Sequence, residues 1–172
     1  MATSLYDLCV PSYLQTVGAI AGVLDKGLAY CKEKGIDPET IVEAKLADDM
    51  LPLRFQITSV AHHSLGAING VKAGLFEPPG PSTANFAALQ KLVADTRDGL
   101  KALTPGEVNA CEGKDMAFQI RGNKIPFTAE GFIQSFSLPN FYFHATTAYD
   151  ILRSKGAPLG KRDFLGQMKI KS

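Results

Sequence analysis

The stretch LADDMLPLRFQITSVAHHSLGAINGV, residues 46–71, carries the clearest structural signal in the chain. Apolar or small residues recur along it at alternating steps of four and three, the spacing of one face of an α-helix. The members of this face are Leu46, Met50, Leu53, Ile57, Val60, Ser64, Ala67 and Val71. Because the repeat continues across Pro52, the sequence predicts one long helix that Pro52 kinks and Gly74 ends.

Three other segments show the same periodicity. They cover residues 5–34, 86–103 and 138–155, and Gly35 and Gly156 follow two of them as C-terminal stops. Four amphipathic helices within 172 residues can bury their apolar faces against one another. The sequence therefore predicts an all-α fold, a four-helix bundle.

Residues 104–128 have a different pattern. MAFQI and KIPFT flank the tripeptide RGN, which is typical of two short strands around a tight turn. We expect a short β-hairpin between the third and fourth helices. The tail, residues 157–172, is predicted to be irregular and to pack on the body of the fold. The sequence shows no internal repeat and no domain boundary, so residues 1–172 are predicted to form a single domain.

Composition narrows the functional classes. Apolar residues make up 45% of the chain, charged residues 20%, and the net charge is +1. No basic surface for nucleic acid is indicated, and no apolar run approaches the roughly 18–20 residues of a membrane span. The N-terminus does not resemble a secretory signal. Cys9, Cys31 and Cys111 show no metal-binding spacing and fit reduced thiols, so a cytoplasmic protein is expected.

The three histidines fall on two of the predicted helices. His62 and His63 lie on the second helix and His144 on the fourth. Facing helices of a bundle can bring such residues into one interior site. Neighbouring helical residues point about 100° apart, so only one of His62 and His63 is expected to face inward. We predict that His144 acts with that residue as a polar or acid/base pair near neutral pH.

Aromatic residues surround the histidine of the fourth helix. The run PNFYFH, residues 139–144, places Phe141, Tyr142 and Phe143 next to His144, where they could form an apolar wall. Ligand contacts are predicted at Asn140, Phe141, Tyr142 and Tyr149. The alternative is that the histidines are core-edge residues with hydrogen-bonded rings and only a packing role.

The residues around His144 favour a metal site less than a small-molecule site. Divalent metals in bundles take three or four ligands, and residues four apart on a helix share a face. Asn140 and Ala148 occupy the positions four before and four after His144, and neither is a good ligand. We therefore predict no cofactor, with a divalent metal as the lesser alternative.

Three segments taken together resemble a known family. They are SLYDLCVPSYLQTVGAI (4–20), DDMLPLRFQI (48–57) and LPNFYFHATTAYDILRSKGAPLGKRDFLG (138–166). The chain resembles DUF1993 along essentially its whole length; this is an uncharacterised branch of the DinB/YfiT-like helical-bundle superfamily. The resemblance implies an up-down-down-up four-helix bundle that is commonly a homodimer.

The wider superfamily also suggests a chemistry. Many of its members bind a divalent metal with one histidine on the second helix and a histidine pair four apart on the fourth, and some are thiol-dependent transferases or isomerases. His144 matches the first histidine of that pair, and His62 or His63 matches the second-helix ligand. Ala148 stands where the remaining histidine is expected, so the resemblance implies a site that has lost a ligand.

Three functional hypotheses follow. The first is a protein that binds a small molecule between the second and fourth helices; in its catalytic form it is a cofactor-independent isomerase, cyclase or lyase that uses His144 with His62 or His63. The second is a non-catalytic dimeric protein whose aromatic and histidine cluster is packing and interface. The third is a metal-binding or thiol-dependent transferase, as in the wider superfamily. The sequence does not indicate a substrate.

Overall fold

The computed structural model describes residues 3–171, which form mainly helices and one small sheet. The first half contains α1 (Leu5–Lys34), α2 (Pro38–Val42), α3 (Leu53–Ala61), the π-helical segment π1 (His62–Gly66) and α4 (Ala67–Ala73). The second half contains α5 (Phe86–Ala102), α6 (Pro105–Asn109), α7 (Ala129–Phe132), the π-helical segment π2 (Ile133–Ser137), α8 (Leu138–Ser154) and α9 (Lys161–Leu165).

The sheet has three strands in the order β1-β2-β3, which are Leu75–Phe76, Asp115–Ile120 and Asn123–Thr128. β2 and β3 form an antiparallel hairpin, and β1 pairs in parallel with β2. Arg121 and Gly122 connect the hairpin with positive φ angles of 50° and 81°, as two-residue hairpin turns require. The sequence analysis did not predict β1, because two residues are too short for a periodic pattern.

The predicted helix from Leu46 is wrong at its start. α3 begins at Leu53, and Pro52 precedes it with extended backbone, φ −72° and ψ 172°. Leu46 and Leu51 are 42% and 50% exposed, so this segment has no apolar surface to pack against. The rest of the repeat is buried as predicted: Leu53, Ile57, Val60, Ser64, Ala67 and Val71. A proline at a helix start costs nothing, because its missing N–H would be unpaired there.

The core forms where the long helices meet. α3 packs against α8 and α1 packs against α5, while α1 also contacts α8. α1 starts at a Ser4 cap whose side chain accepts from the Asp7 N–H, and it ends at Gly35 in the left-handed conformation. The largest fully buried side chains include Tyr13, Phe132 and Phe141, from α1, α7 and α8. Burial of these faces supplies the main favourable free energy of folding.

The C-terminal tail packs on α1 and includes one helical turn that the sequence analysis did not predict, α9. Lys26 Nζ lies 2.7 Å from Asp163 Oδ1, and the Gln15 side chain donates to the Leu165 carbonyl. The Phe164 ring meets Tyr149 edge-on. Ser172, part of the predicted tail, lies outside the described residues. The tail is therefore fixed at its start by contacts to α1 and α8.

Helix α1 corrects the expectation that no segment approaches the length and hydropathy of a membrane span. By length and hydropathy it could cross a membrane, with a mean hydropathy of 1.2 over its most apolar window. Half of that window is buried inside the protein, so its apolar residues serve the core. The cytoplasmic location stays a prediction. All three cysteines are free and buried, and burial raises the pKa of Cys9 to about 12, as expected for inert core thiols.

Candidate functional site

Two histidines from distant parts of the sequence meet between π1 and α8. The rings of His63 and His144 have centroids 5.7 Å apart and planes 18° from parallel. The two residues are 8% and 9% exposed. Imidazoles from two separate helical elements thus share one buried location, which we call the histidine pair.

Gln56 of α3 fixes the orientation of His144. The Gln56 amide nitrogen donates to the Leu51 carbonyl at 2.8 Å, which turns its amide oxygen towards His144. His144 Nδ1 lies 2.8 Å from that oxygen. Because an amide oxygen only accepts, we assign the proton of neutral His144 to Nδ1. Nε2 of His144 therefore carries the free lone pair.

His63 is anchored through its backbone and not through its ring. Ser137 Oγ donates to the His63 carbonyl at 2.7 Å, and Tyr13 Oη lies 2.7 Å from Ser137 Oγ. Since the serine hydroxyl donates to the carbonyl, Tyr13 is the donor of the second bond. Ser137 ends π2 and His63 belongs to π1. The two hydrogen bonds therefore join two segments whose carbonyls depart from α-helical bonding.

The ring of His63 has an unpaired polar atom. Within the part of the chain that the structure describes, His63 Nδ1 is buried and has no hydrogen-bond partner. Buried polar atoms are almost always paired in folded proteins. The unpaired atom makes this pair of facing imidazoles the candidate functional site.

His62 has a different environment from its neighbour. It is half-buried, its ring stacks on Phe76 with centroids 4.3 Å apart, and its Nε2 lies 2.7 Å from the Glu77 carbonyl oxygen. The carbonyl can only accept, so Nε2 of His62 is the donor. Burial lowers the pKa of His62, and this hydrogen bond partly opposes the shift. His62 thus fastens π1 to the chain after β1.

Both members of the histidine pair are neutral at pH 7. Burial, together with the neighbouring His144 and His62, lowers the pKa of His63 to about 3. Burial alone lowers the pKa of His144 to about 4. Neutral imidazoles in an apolar site are good hydrogen-bond acceptors but weak bases, because an efficient general base has a pKa near the working pH.

The aromatic wall around the pair is not the one predicted. Phe76 and Phe136 lie 5.4 and 5.6 Å from the His63 ring, and Phe55 and Phe143 lie 5.7 and 5.3 Å from the His144 ring. Of the predicted wall, only Phe143 makes such a contact with His144. Phe76 can approach because Gly70 has no side chain: a Cβ there would come within 2.9 Å of the Phe76 ring.

Comparison with known proteins identifies the family. The family model described as "Domain of unknown function (DUF1993)" matches residues 5–165. The chain belongs to the DUF1993 family. A crystal structure described as a DinB family member protein from Shewanella denitrificans superposes on this DUF1993 chain with a TM-score of 0.85 and 25% sequence identity. The match covers 98% of this chain and 95% of that one. A search of curated proteins finds no match.

The metal chemistry of the wider superfamily does not fit the residues of this DUF1993 protein. Among residues 3–171, no group of three or more His, Cys, Asp or Glu side chains is placed to hold a metal ion. Ala148 is fully buried in α8 at the position where the resemblance implies a further histidine. The histidine pair would offer two imidazoles, short of the three protein ligands of catalytic zinc sites.

The predicted ligand contacts of this DUF1993 chain are dispersed. Phe141 is fully buried and packs edge-on against Tyr13, with centroids 4.9 Å apart. Tyr149 meets Phe164 of the tail at 5.9 Å. Asn140 lies one helical turn before His144 and donates to the Phe136 carbonyl, while Tyr142 is 40% exposed. Ligand roles for all four residues stay predictions, although Phe141 and Tyr149 also make packing contacts.

Sequence reasoning missed Gln56 and Ser137, the two polar residues that hold the histidine pair. A signal was present for Gln56, because Gln56, Ser59 and His63 follow one another at helical steps of three and four. That spacing forms a polar line beside the apolar face. Ser137 gave no such signal, because its role depends on the contact between π1 and π2.

Two grooves in the described part of the chain lie away from the histidine pair. A groove of about 780 Å³ runs between α1, α5 and residues 166–170, and a second of about 400 Å³ adjoins it. Arg97 lines both grooves, and no histidine lines either. A ligand at the histidine pair therefore has to be small or to displace a surrounding ring.

Proposed function

We propose that this DUF1993 protein binds a small neutral molecule at the histidine pair, with the two imidazoles accepting or donating hydrogen bonds to it. The observation that carries this proposal is that His63 Nδ1 is buried without a partner among the described residues, on a ring that faces the His144 ring at 5.7 Å. An unpaired buried group costs about 1–3 kcal/mol, which a ligand hydrogen bond would recover.

The surroundings of the pair favour a neutral ligand with a flat apolar body. The described partners of the two rings are an amide, from Gln56, and the aromatic side chains Phe55, Phe76, Phe136 and Phe143. None of these carries a charge that could balance an anion or a cation. Burying an unpaired charge costs far more than burying a hydrogen-bonded neutral group.

If the site is catalytic, the reaction needs only one proton to be moved. His144 Nε2 takes a proton from the substrate and the resulting imidazolium returns it to a second substrate atom, which is an isomerisation, a cyclisation or an elimination of the lyase type. Gln56 orients the ring in both protonation states, because His144 Nδ1 keeps its proton throughout. The low pKa of His144 restricts this chemistry to readily released protons.

We also infer the finer architecture that the resemblance implies. The long segments α1, α3–α4, α5 and α8 would form an up-down-down-up bundle with the β2–β3 hairpin inserted before the last helix. The packing of α3 on α8 and of α1 on α5, together with the DinB-like neighbour, supports this arrangement. A cytoplasmic location, with no nucleic-acid or membrane partner, is part of the same proposal.

The proposal is tested with indole as the probe and N-methylindole as its matched control. Indole is a small neutral ring with one N–H donor, and its methylated form lacks only that donor. In protein with ¹⁵N-labelled histidine, indole is expected to shift the ring nitrogen resonances of His63 and His144, and N-methylindole to shift them far less.

Histidine variants complete the test. His63→Gln and His144→Gln are expected to lose the indole response, whereas His62→Gln keeps it, because His62 bonds to Glu77 and stacks on Phe76. Thermal unfolding confirms that each variant is folded. Equal shifts with indole and N-methylindole, or loss of binding only in His62→Gln, would contradict the proposal.

A non-catalytic dimer is the second candidate function. Tyr142 and Phe143 are 40% and 56% exposed on neighbouring positions of α8, and exposed aromatic residues are enriched in protein interfaces. Light scattering after size exclusion measures the mass directly. A homodimer that becomes a monomer in a Phe143→Ser variant, together with no indole response, would favour this candidate over ligand binding.

A further inference from the structure

The groove between α1, α5 and the C-terminal tail has the features of a second ligand site, away from the histidine pair. Its volume of about 780 Å³ lies within the roughly 300–1,000 Å³ of small-molecule pockets. Residues of three elements line it, namely α1, α5 and the segment 166–170. The groove differs from the histidine pair in charge: the histidine pair is neutral, whereas the groove is lined by permanently charged side chains.

Arg97 of α5 is the central residue of this groove. Its Nε is buried but has no hydrogen-bond acceptor among the residues that the structure describes. The Asp98 carboxylate oxygen paired with it lies 3.8 Å away, too far for a hydrogen bond, and Lys101 Nζ lies at the same distance from that oxygen. A guanidinium presents its N–H donors in a fork that matches a carboxylate. Although Nε itself is buried, the Arg97 side chain lines the groove and is 41% exposed, so a ligand carboxylate in the groove can approach the guanidinium.

The charges on the groove walls favour an anion. Arg97, Lys101 and Lys169 line it as cations, and Asp7 lines it as the opposing carboxylate. Positive charge in a concave surface raises the local concentration of anions. Arg97 also lines the adjoining groove, so the cation lies where the two grooves meet.

The rest of the groove is apolar. Pro11 and Leu14 line it from α1, and Met168 and Ile170 line it from the tail. Met168 and Ile170 are 52% and 78% exposed, which leaves apolar surface in water that a ligand would cover. An apolar wall next to a pair of cations suits a ligand with a hydrocarbon body and a carboxylate head.

The tail is held in position over the groove. Gln15 donates to the Leu165 carbonyl, and Gly166 follows with a positive φ of 59°. A Cβ on Gly166 would lie 3.0 Å from the Ala19 Cβ and 3.3 Å from the Gln15 carbonyl oxygen. Only glycine can combine this backbone conformation with so close an approach to α1. The wall formed by residues 167–170 is thus built by the fold.

From these observations we propose that the groove binds small amphipathic carboxylates, with Arg97 as the group that binds the carboxylate. Lys101 adds charge at the same side of the groove, and the apolar residues of α1 and the tail hold the hydrocarbon part. The site acts independently of the histidine pair.

The test measures binding of octanoate, with octanol as the matched neutral probe, by isothermal titration calorimetry on the full chain. Octanoate is expected to bind saturably with a dissociation constant at or below about 1 mM. Octanol is expected to bind at least about tenfold more weakly, because it has no charge for the guanidinium to bind.

Variants assign the binding to Arg97. Arg97→Gln is expected to weaken octanoate binding about tenfold, and Arg97→Lys to weaken it less, because the charge remains while the Nε donor is lost. Arg153→Gln on α8 is the matched control: it removes the same charge from an exposed residue that lines neither groove and is expected to leave affinity within about twofold. Circular dichroism confirms that each variant is folded.

Three outcomes overturn the proposal. They are no saturable octanoate binding, equal affinity for octanoate and octanol, and equal effects of Arg97→Gln and Arg153→Gln. A second copy of the chain as the true occupant would show as a dimer that Arg97→Gln dissociates while octanoate has no effect, and this also overturns the proposal.

Discussion

The histidine pair and the groove lined by Arg97 differ in how far their polar side chains are exposed to solvent. His63 and His144 are 8% and 9% exposed and are surrounded by aromatic rings. Arg97 lies on an open groove, with a side chain 41% exposed. Imidazole can enter the core because it releases its proton there, as the lowered pKa values of both histidines show.

The guanidinium of Arg97 cannot lose its charge in this way. It stays charged at any pH that a protein meets, because its positive charge is delocalised over the whole group. A residue of that kind remains at the edge of a groove, where solvent or a ligand anion can balance it. If both proposals hold, the two sites would select different ligands: neutral molecules in the core and anions in the groove.

Acidification is the strongest way to break the buried site. Both histidines have folded-state pKa values, about 3 and about 4, below the unfolded value of about 6.5. The unfolded chain therefore binds more protons at acidic pH, and the stability that the neutral rings contribute is lost as the pH falls from about 6.5 towards 4. We expect a loss of up to about 5 kcal/mol between pH 6.5 and 4.5 from the two groups together.

Urea unfolding at a series of pH values measures this loss. Carboxylates also titrate in the range, so the His144→Gln variant serves as the reference. Its loss of stability over the same range is expected to be smaller by about half of the histidine contribution. Parallel stability curves for the two proteins would show that His144 is accessible to protons in the folded state.

Substitution of Gln56 tests the hydrogen bonds that hold the pair. Gln56→Leu keeps the side chain buried but leaves His144 Nδ1 and the Leu51 carbonyl without partners. We expect a loss of about 1–3 kcal/mol in the free energy of unfolding. NMR of the His144 ring nitrogens should also show a mixture of tautomers in place of the Nδ1–H form.

Lys101→Gln is the matched control on the groove side. Lys101 is exposed and its pair with Asp98 is 3.8 Å long, so its loss is expected to change stability by less than about 0.5 kcal/mol. A loss as large as that of Gln56→Leu would mean that groove polar groups are as tightly coupled to the fold as the buried pair.

Substitution of Arg97 gives the sharpest contrast, because it is the one change expected not to lower stability. Arg97→Met removes a buried N–H that has no acceptor among the described residues and keeps an apolar chain of similar length. Stability is expected to stay unchanged or to rise by up to about 1 kcal/mol, because an unpaired donor is removed. A decrease of more than about 1 kcal/mol in thermal or urea unfolding would show that Arg97 already has a partner in the free protein.

The sequence analysis predicted helices best where the apolar repeat is long. Residues 53–71 are helical in the structure and bury the predicted face. The prediction from this repeat was wrong between Leu46 and Leu51. The helical spacing is present there, but this segment has no apolar surface to pack against. Periodicity reports which face could be buried, and only the rest of the fold decides whether it is.

The candidate site was predictable in part, because helical spacing indicates which side chains share a face. That His144 would face a histidine of the second helix followed from helical geometry, and the structure identifies His63 as that residue. Phe76 and Ser137 could not be predicted, because their approach depends on the pairing of β1 with β2 and on the contact of π1 with π2. A π-helical segment has no residue pattern of its own.

The sequence by itself determined the amphipathic helices, the hairpin residues and the family, because these depend on local spacing and turn chemistry. The tertiary structure alone decided which buried atoms lack partners among residues 3–171: Nδ1 of His63 in the core and Nε of Arg97 next to the groove. Whether a polar atom is paired depends on residues tens of positions away, as the bond between Gln56 and His144 shows. Burial and pairing are properties of the packed chain, and they give these residues their charge state and their capacity to bind a ligand.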